Sequence, residues 1–241
     1  MRRLSGCSGI IKRKLISVER SDFVLRREIV LPVLKIGFPV AMQDGFIQIS
    51  FILITIIANR RGLADAAAVG IVEKIMSFMF LVPSSMLSTV SALASQNIGA
   101  KKYDRADSTL RFASFIATGF GLAMAVLIQF SASSFVALFT ADSVVIALGA
   151  QYLRGYIWDC FLGGIHFSFS GYFCALGKSG ISFLHNLLSI VLVRVPGAYF
   201  MSKLFPENLF PMGIATACGS LFSVIVCVIA FCILRKRNFR L

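Results

Sequence analysis

Six apolar stretches separated by short charged or glycine-rich breaks organise the chain. The first runs over 31–59 and stops at Arg60-Arg61-Gly62, the second covers 66–97 and ends at Gly99, and the third covers 110–130. Residues 131–141 are apolar but short and read as an interfacial connector. Asp142-Ser143 then predicts a helix N-cap for a long fourth span, 144–174. Gly177-Lys178-Ser179-Gly180 predicts a tight turn into the fifth span, 181–201; Pro206 and Pro211 mark the next loop, and the sixth span covers 212–234. A helix needs about 20 apolar residues to cross roughly 30 Å of hydrocarbon. The pattern therefore predicts an all-α polytopic membrane protein, a six-transmembrane-helix bundle over 31–234, preceded by a basic segment over 1–30 and followed by a basic tail over 235–241.

Composition sharpens this. Of 241 residues, 57% are hydrophobic and 15% charged, which excludes an ordinary soluble globule. The net charge of +13 could mark a nucleic-acid partner, an anionic surface or cytoplasmic loops. Its distribution decides. Flanks and loops on one side of the predicted spans hold 18 Lys and Arg, against only Arg60, Arg61 and Lys203 on the other. Basic loops stay on the cytoplasmic side, so both termini are expected there, in a multi-pass protein of the cell (inner) membrane. No nucleic-acid-binding module accompanies the basic run, so the expected partner is the lipid bilayer and not nucleic acid. The six cysteines form no C-x-x-C pair and read as reduced packing residues.

Polar positions inside the spans carry the candidate chemistry, because charge at membrane depth is costly. Asp44, Gln48, Thr55 and Asn59 recur at helical spacing in the first span. Glu73, Ser77, Ser84, Ser88, Ser91 and Ser95 form one continuous face in the second, and Tyr152, Tyr156, Asp159, Gly163, His166 and Ser170 in the fourth. Three polar faces in one bundle predict a wet interior path. Asp44, Glu73 and Asp159 are its candidate cation- or proton-handling groups, and Gln43, Gln48, Ser77, Ser88, Tyr156 and His166 its lining. Close helix approach is the alternative for the serines, as at Gly213-x-x-x-Ala217 and Gly119-x-x-x-Ala123, and structural ion pairing for Asp44 and Asp159. Lys74, Arg154 and Arg194 are the available counter-charges, with Lys74 and Arg194 equally able to snorkel or cap the bundle. Pro39 and Pro83 are expected to interrupt their spans. No metalloprotease, nucleophile-elbow, phosphate-loop or metal-spaced His/Cys motif occurs, so neither an enzyme nor a bound cofactor is expected.

Specific wording appears around the second span: Val72-Glu73-Lys74-Ile75, Leu81-Val82-Pro83-Ser84-Ser85-Met86, and Ser95-Gln96-Asn97-Ile98-Gly99-Ala100 with Asp104-Arg105-Ala106. With Gly37-Phe38-Pro39, Leu138-Phe139-Thr140-Ala141-Asp142, Leu176-Gly177-Lys178 and Arg194-Val195-Pro196, it resembles the multidrug and toxic compound extrusion (MATE) family over about 31–235. The resemblance is to the C-terminal six-helix lobe of these two-lobed antiporters, with the basic N-terminal segment similar to the connection between lobes. It implies export of small organic or cationic compounds in exchange for Na+ or H+, and a partner that is an N-terminal lobe or a second copy. It also implies acidic ion-binding residues on the first and fourth helices, and Asp44 and Asp159 each stand about one turn from those positions. The alternatives are a lipid-linked or polysaccharide flippase of the related superfamily, or a non-transporting truncated remnant or assembly subunit.

The loop-charge bias carries a test. Impermeant thiol labelling of single cysteines from outside the cell is expected to modify positions near Asp65, Ser133 and Asn208 and to spare those near Lys101 and Lys178. External labelling at Lys101 contradicts the topology.

Overall fold

The computed structural model describes residues 27–238. The chain divides at Lys35 into two compact units. The described part of the first is the opening of helix α1 (Arg27–Asn59), and the rest of α1 with every later element belongs to the second. Helix α1 starts four residues before the expected boundary, and Glu28 in its first turn complements the helix N-terminus. The remainder of the predicted 1–30 segment, with Cys7, lies outside the described residues, as do residues 239–241.

Every regular element among the described residues is helical: α2 (Leu63–Met79), α3 (Leu81–Gly99), α4 (Tyr103–Ala137), α5 (Ser143–Tyr156), α6 (Trp158–Ala175), α7 (Ser179–Ser189), a π-helical turn (Ile190–Arg194), α8 (Val195–Leu204) and α9 (Phe210–Asn238). They build six columns. Four helices are long and apolar enough to cross a membrane, and α2 with α3, bent by 40°, makes a fifth. The remaining column, α5 with α6, the fourth along the chain, falls short on hydropathy because it carries Arg154, Asp159, His166 and a run of Ser and Gly.

Three expected boundaries move. The supposed connector after 130 is the last two turns of α4. No Gly or Pro interrupts it, and Ala132 and Val136 continue the buried face of Ala125 and Ile128. The second span is two helices meeting at Phe80. Pro83, the third residue of α3, lacks the N–H that would bond the Met79 carbonyl, and the Cys160 thiol takes that carbonyl instead at 3.5 Å. The fourth span likewise breaks, at Ile157, where Cys160 N–H bonds back to the Ile157 carbonyl in a tightened turn. The two breaks thus face each other. Pro39, by contrast, leaves α1 uninterrupted.

Two apolar clusters hold the columns at opposite ends. One gathers Val72 and Met76 of α2, Ile128 and Val136 of α4, and Tyr152, Leu153 and Ile157 around α5. The other gathers Val90 and Ala94 of α3, Leu110 of α4, Phe173 of α6 and Cys227 of α9. Column crossings rest on small residues. A Cβ on Gly213 would lie 2.5 Å from the Tyr152 carbonyl oxygen, and Gly155 is equally pressed by Phe210. The other expected motif is displaced: nothing lies within 4 Å of Gly119, whereas Gly121 packs on the Phe161 backbone, continuing the buried row of Ala113 and Ala117. No disulfide occurs among the described cysteines.

Local signals mostly act as expected. Asp142 caps α5 through Val144 N–H at 2.8 Å and Val145 N–H at 3.3 Å. The Arg61 side chain pairs with Asp65 at 2.7 Å and donates to the carbonyls of Ser202, Phe205 and Pro206, tying two loops at one end of the bundle. At the other end, α3 and α6 close with the same motif. Gly177 at φ 69° lets Lys178 N–H reach the Phe173 carbonyl, and Lys101 at φ 59° lets Lys102 N–H reach that of Asn97. A left-handed Lys pays about 1 kcal/mol that Gly does not. Lys101→Gly is therefore expected to raise stability by up to about 1 kcal/mol, read as a higher melting temperature in detergent; a lower one contradicts this backbone assignment.

Candidate functional site

A cavity of about 310 Å³ opens between the two apolar clusters, where the helix breaks meet. Helix α1 contributes Asp44, Ile47, Gln48 and Phe51, on consecutive turns of one face. The bent second column adds Met76, Ser77, Phe80 and Ser84, and the broken fourth adds Tyr156, Asp159, His166 and Phe167. Asn186, Ser189 and Arg194 come from the fifth column, and Ser220 and Ser223 from α9. Breaking a helix at membrane depth is tolerated where the freed backbone lines such a space.

Asp159 is fully buried at the cavity floor. Arg194 Nη2 stands 3.5 Å from its carboxylate, and neither carboxylate oxygen reaches hydrogen-bond geometry with a neighbour. The same guanidinium donates to the Tyr156 hydroxyl and lies 5.2 Å from the centre of the Phe51 ring and 5.5 Å from that of Tyr156. Arg194 itself is buried, so it neither snorkels nor caps. Its position depends on the π turn, in which Val195 N–H bonds the Ile190 carbonyl. One extra residue in that turn carries Arg194 round to the face already formed by Ser182, His185, Asn186 and Ser189, and Pro196 follows where a further backbone donor would be needed.

Of the predicted lining residues, Gln48, Ser77, Tyr156 and His166 border this cavity with Asp44 and Asp159. Asp44 is exposed on its wall and makes no ion pair or hydrogen bond among the described residues. Glu73 lies apart, in an adjoining groove that shares Gln48, Phe51 and Ser77 with the cavity, where the Thr55 hydroxyl donates to its Oε2 at 3.2 Å. Gln43 is buried away from the cavity, and Ser88 is exposed on α3 beyond the bend. The serine face is therefore not continuous. Ser77, Ser84, Ser88 and Ser95 return their hydroxyls to carbonyls of their own helices, and past Ser84, which still lines the cavity, the bend at Phe80 leaves Ser88 and Ser95 off it. Lys74 lines the groove, and neither it nor Arg154 forms an ion pair among the described residues.

Sequence reasoning missed the polar face of α7. His185 is buried and shares a hydrogen bond with Ser170 Oγ at 2.9 Å; its ring stands 5.9 Å from that of His166, whose Nε2 approaches Ser220 Oγ at 3.5 Å. The steps from Ser179 through Ser182, His185 and Asn186 to Ser189 carry the signal. No group of three or more His, Cys, Asp or Glu suited to a metal occurs among the described residues. Chemically, the site offers paired and unpaired carboxylates, a buried guanidinium and imidazole, and aromatic faces, a surface suited to holding cations.

The MatE family model matches residues 39–200. The chain is similar to two proteins of Bacillus subtilis (strain 168). It is 26% identical over 222 residues to the probable multidrug resistance protein YpnP, covering 91% of this chain and 48% of that one. It is 24% identical over 176 residues to the probable multidrug resistance protein YoeA, covering 73% and 38%. The Vibrio cholerae MATE transporter VcmN in its bent form superposes with a TM-score of 0.81 at 18% identity, over 97% of this chain and 53% of that one, a likeness that shows the fold. The chain thus spans about half or less of the length of these relatives.

Proposed function

The chain belongs to the MatE family, and from that premise we propose that it is one lobe of a secondary transporter that exports small organic, largely cationic compounds in exchange for Na+ or H+. The observation that carries this reading is the enclosure of Asp44 and Asp159 in one cavity also walled by Phe51, Phe80, Phe167 and Tyr156. Carboxylates attract a cation, and aromatic faces hold its apolar body. Asp44, Glu73 and Asp159 handle the coupling ion, and Asp44 is the one most open to an entering solute. A flippase for phosphate-bearing lipids calls for free bases, whereas Arg194 is committed to Asp159 and Lys74 and Arg154 lie outside the cavity.

The lobe works in the cell membrane with both termini cytoplasmic, which the loop charges favour. Alternating access requires a second bundle against which this one rocks, so an N-terminal lobe or a second copy completes the transporter. The test is reconstitution in liposomes of the 241-residue chain, alone and with a candidate N-terminal lobe, under an imposed Na+ or H+ gradient. Drug flux is expected only from paired lobes or dimers, and Asp44→Asn is expected to reduce it about tenfold or more without lowering membrane abundance. Flux from verified monomers contradicts the half-transporter reading, and gradient-independent behaviour of every pairing contradicts antiport.

A further inference from the structure

The floor of the cavity is built as a cation receptor, and the chain fills it with its own cation. Asp159 supplies a carboxylate, Tyr156 a phenolic oxygen, and Phe51 and Tyr156 two aromatic faces; all four features converge on the Arg194 guanidinium. Each of them is what a desolvated mobile cation would itself require. Arg194 is the only Lys or Arg lining the cavity among the described residues, and the π turn is spent on bringing it there. Across the cavity Asp44 is exposed and makes no ion pair or hydrogen bond among the described residues. Ionised, Asp44, Asp159 and Arg194 together contribute one net negative charge to the lining, which suits one monovalent cation at a time.

We propose that Arg194 is a resident counter-cation that occupies the place beside Asp159, so that Asp159 meets the coupling ion only in competition with Arg194, whereas Asp44 meets an entering cation directly. Arg194 thereby sets the ion selectivity of the lobe. The neighbouring ionisable groups, Glu73 in the adjoining groove, Tyr152 and Tyr156 on α5, and His166 on α6, offer Asp159 no competing positive charge of fixed sign. Removing the guanidinium converts the floor from a filled site into an open one for a small hard cation such as Na+. This inference rests on reading the cavity as a transport path, but it concerns equilibrium binding and is tested without any flux.

Trp158 is the sole tryptophan, adjacent in sequence to Asp159 and packed at the α5–α6 break, so its fluorescence reports on the floor. The purified 241-residue chain in detergent is titrated with NaCl against choline chloride at constant ionic strength. Arg194→Gln is expected to tighten the apparent sodium affinity about tenfold or more relative to the unaltered chain, and adding Asp159→Asn to remove that gain. No gain in an Arg194→Gln chain that remains folded overturns the proposal, as does a gain that survives Asp159→Asn. Should Arg194→Gln not fold, Arg194→Lys carries the test. With the charge retained, sodium affinity is expected to stay within about twofold of the unaltered chain, and a tenfold gain overturns occupancy by charge. A transport assay that fails while these titrations behave as expected removes the transport reading and leaves the counter-cation in place.

Discussion

An ionised carboxylate has no place in the middle of a membrane bundle unless something compensates it, and in this lobe the compensation is a single guanidinium. At 3.5 Å and an effective dielectric of about 20, the attraction between Asp159 and Arg194 is on the order of 5 kcal/mol, comparable with the several kcal/mol that each ion loses on leaving water. With two ions desolvated, the pair adds no net stability to the fold. Its influence lies in what it forces on the backbone. Arg194 reaches the floor through a π turn, and Asp159 reaches it from a helix restarted one residue after Ile157. The facing break at Phe80 admits the Cys160 thiol to the carbonyl left by Pro83.

Small residues make this arrangement mechanically possible. Gly155 and Gly213 bring α5 and α9 into backbone contact beside Tyr156, and Gly121 seats α4 against the start of α6. With the ends closed by apolar clusters and by the Arg61 clamp, the buried polar side chains of Asp159, His166, Asn186, Ser189, Arg194 and Ser220 gather in the middle, where they line a cavity.

Much of this is legible from residue order alone. The apolar runs locate all six columns, the Asp142 cap and the Gly177 turn fall where side-chain chemistry demands, and helical spacing brings Asp44, Gln48, Tyr156, Asp159 and His166 to one space. The failures have physical causes. A uniform helical period cannot register a π turn, so Arg194 falls off the polar face of α7 when counted at 3.6 residues per turn. A serine face drawn across Pro83 ignores a bend that rotates Ser88 away, and Gly119 and Gly121 are indistinguishable until a neighbour is placed against one of them. The Lys101 turn carries no glycine at the left-handed position and gives no signal.

The central claim, that Asp159 and Arg194 form one compensated unit, is tested most directly by a double-mutant cycle on thermal unfolding in detergent, using Asp159→Asn, Arg194→Met and the two together. Each single change leaves a buried charge alone, so each is expected to destabilise strongly. The neutral double variant is expected to recover most of the loss, with a coupling energy of about 2 kcal/mol or more. Additive losses would mean that the two groups do not compensate each other and would contradict the account.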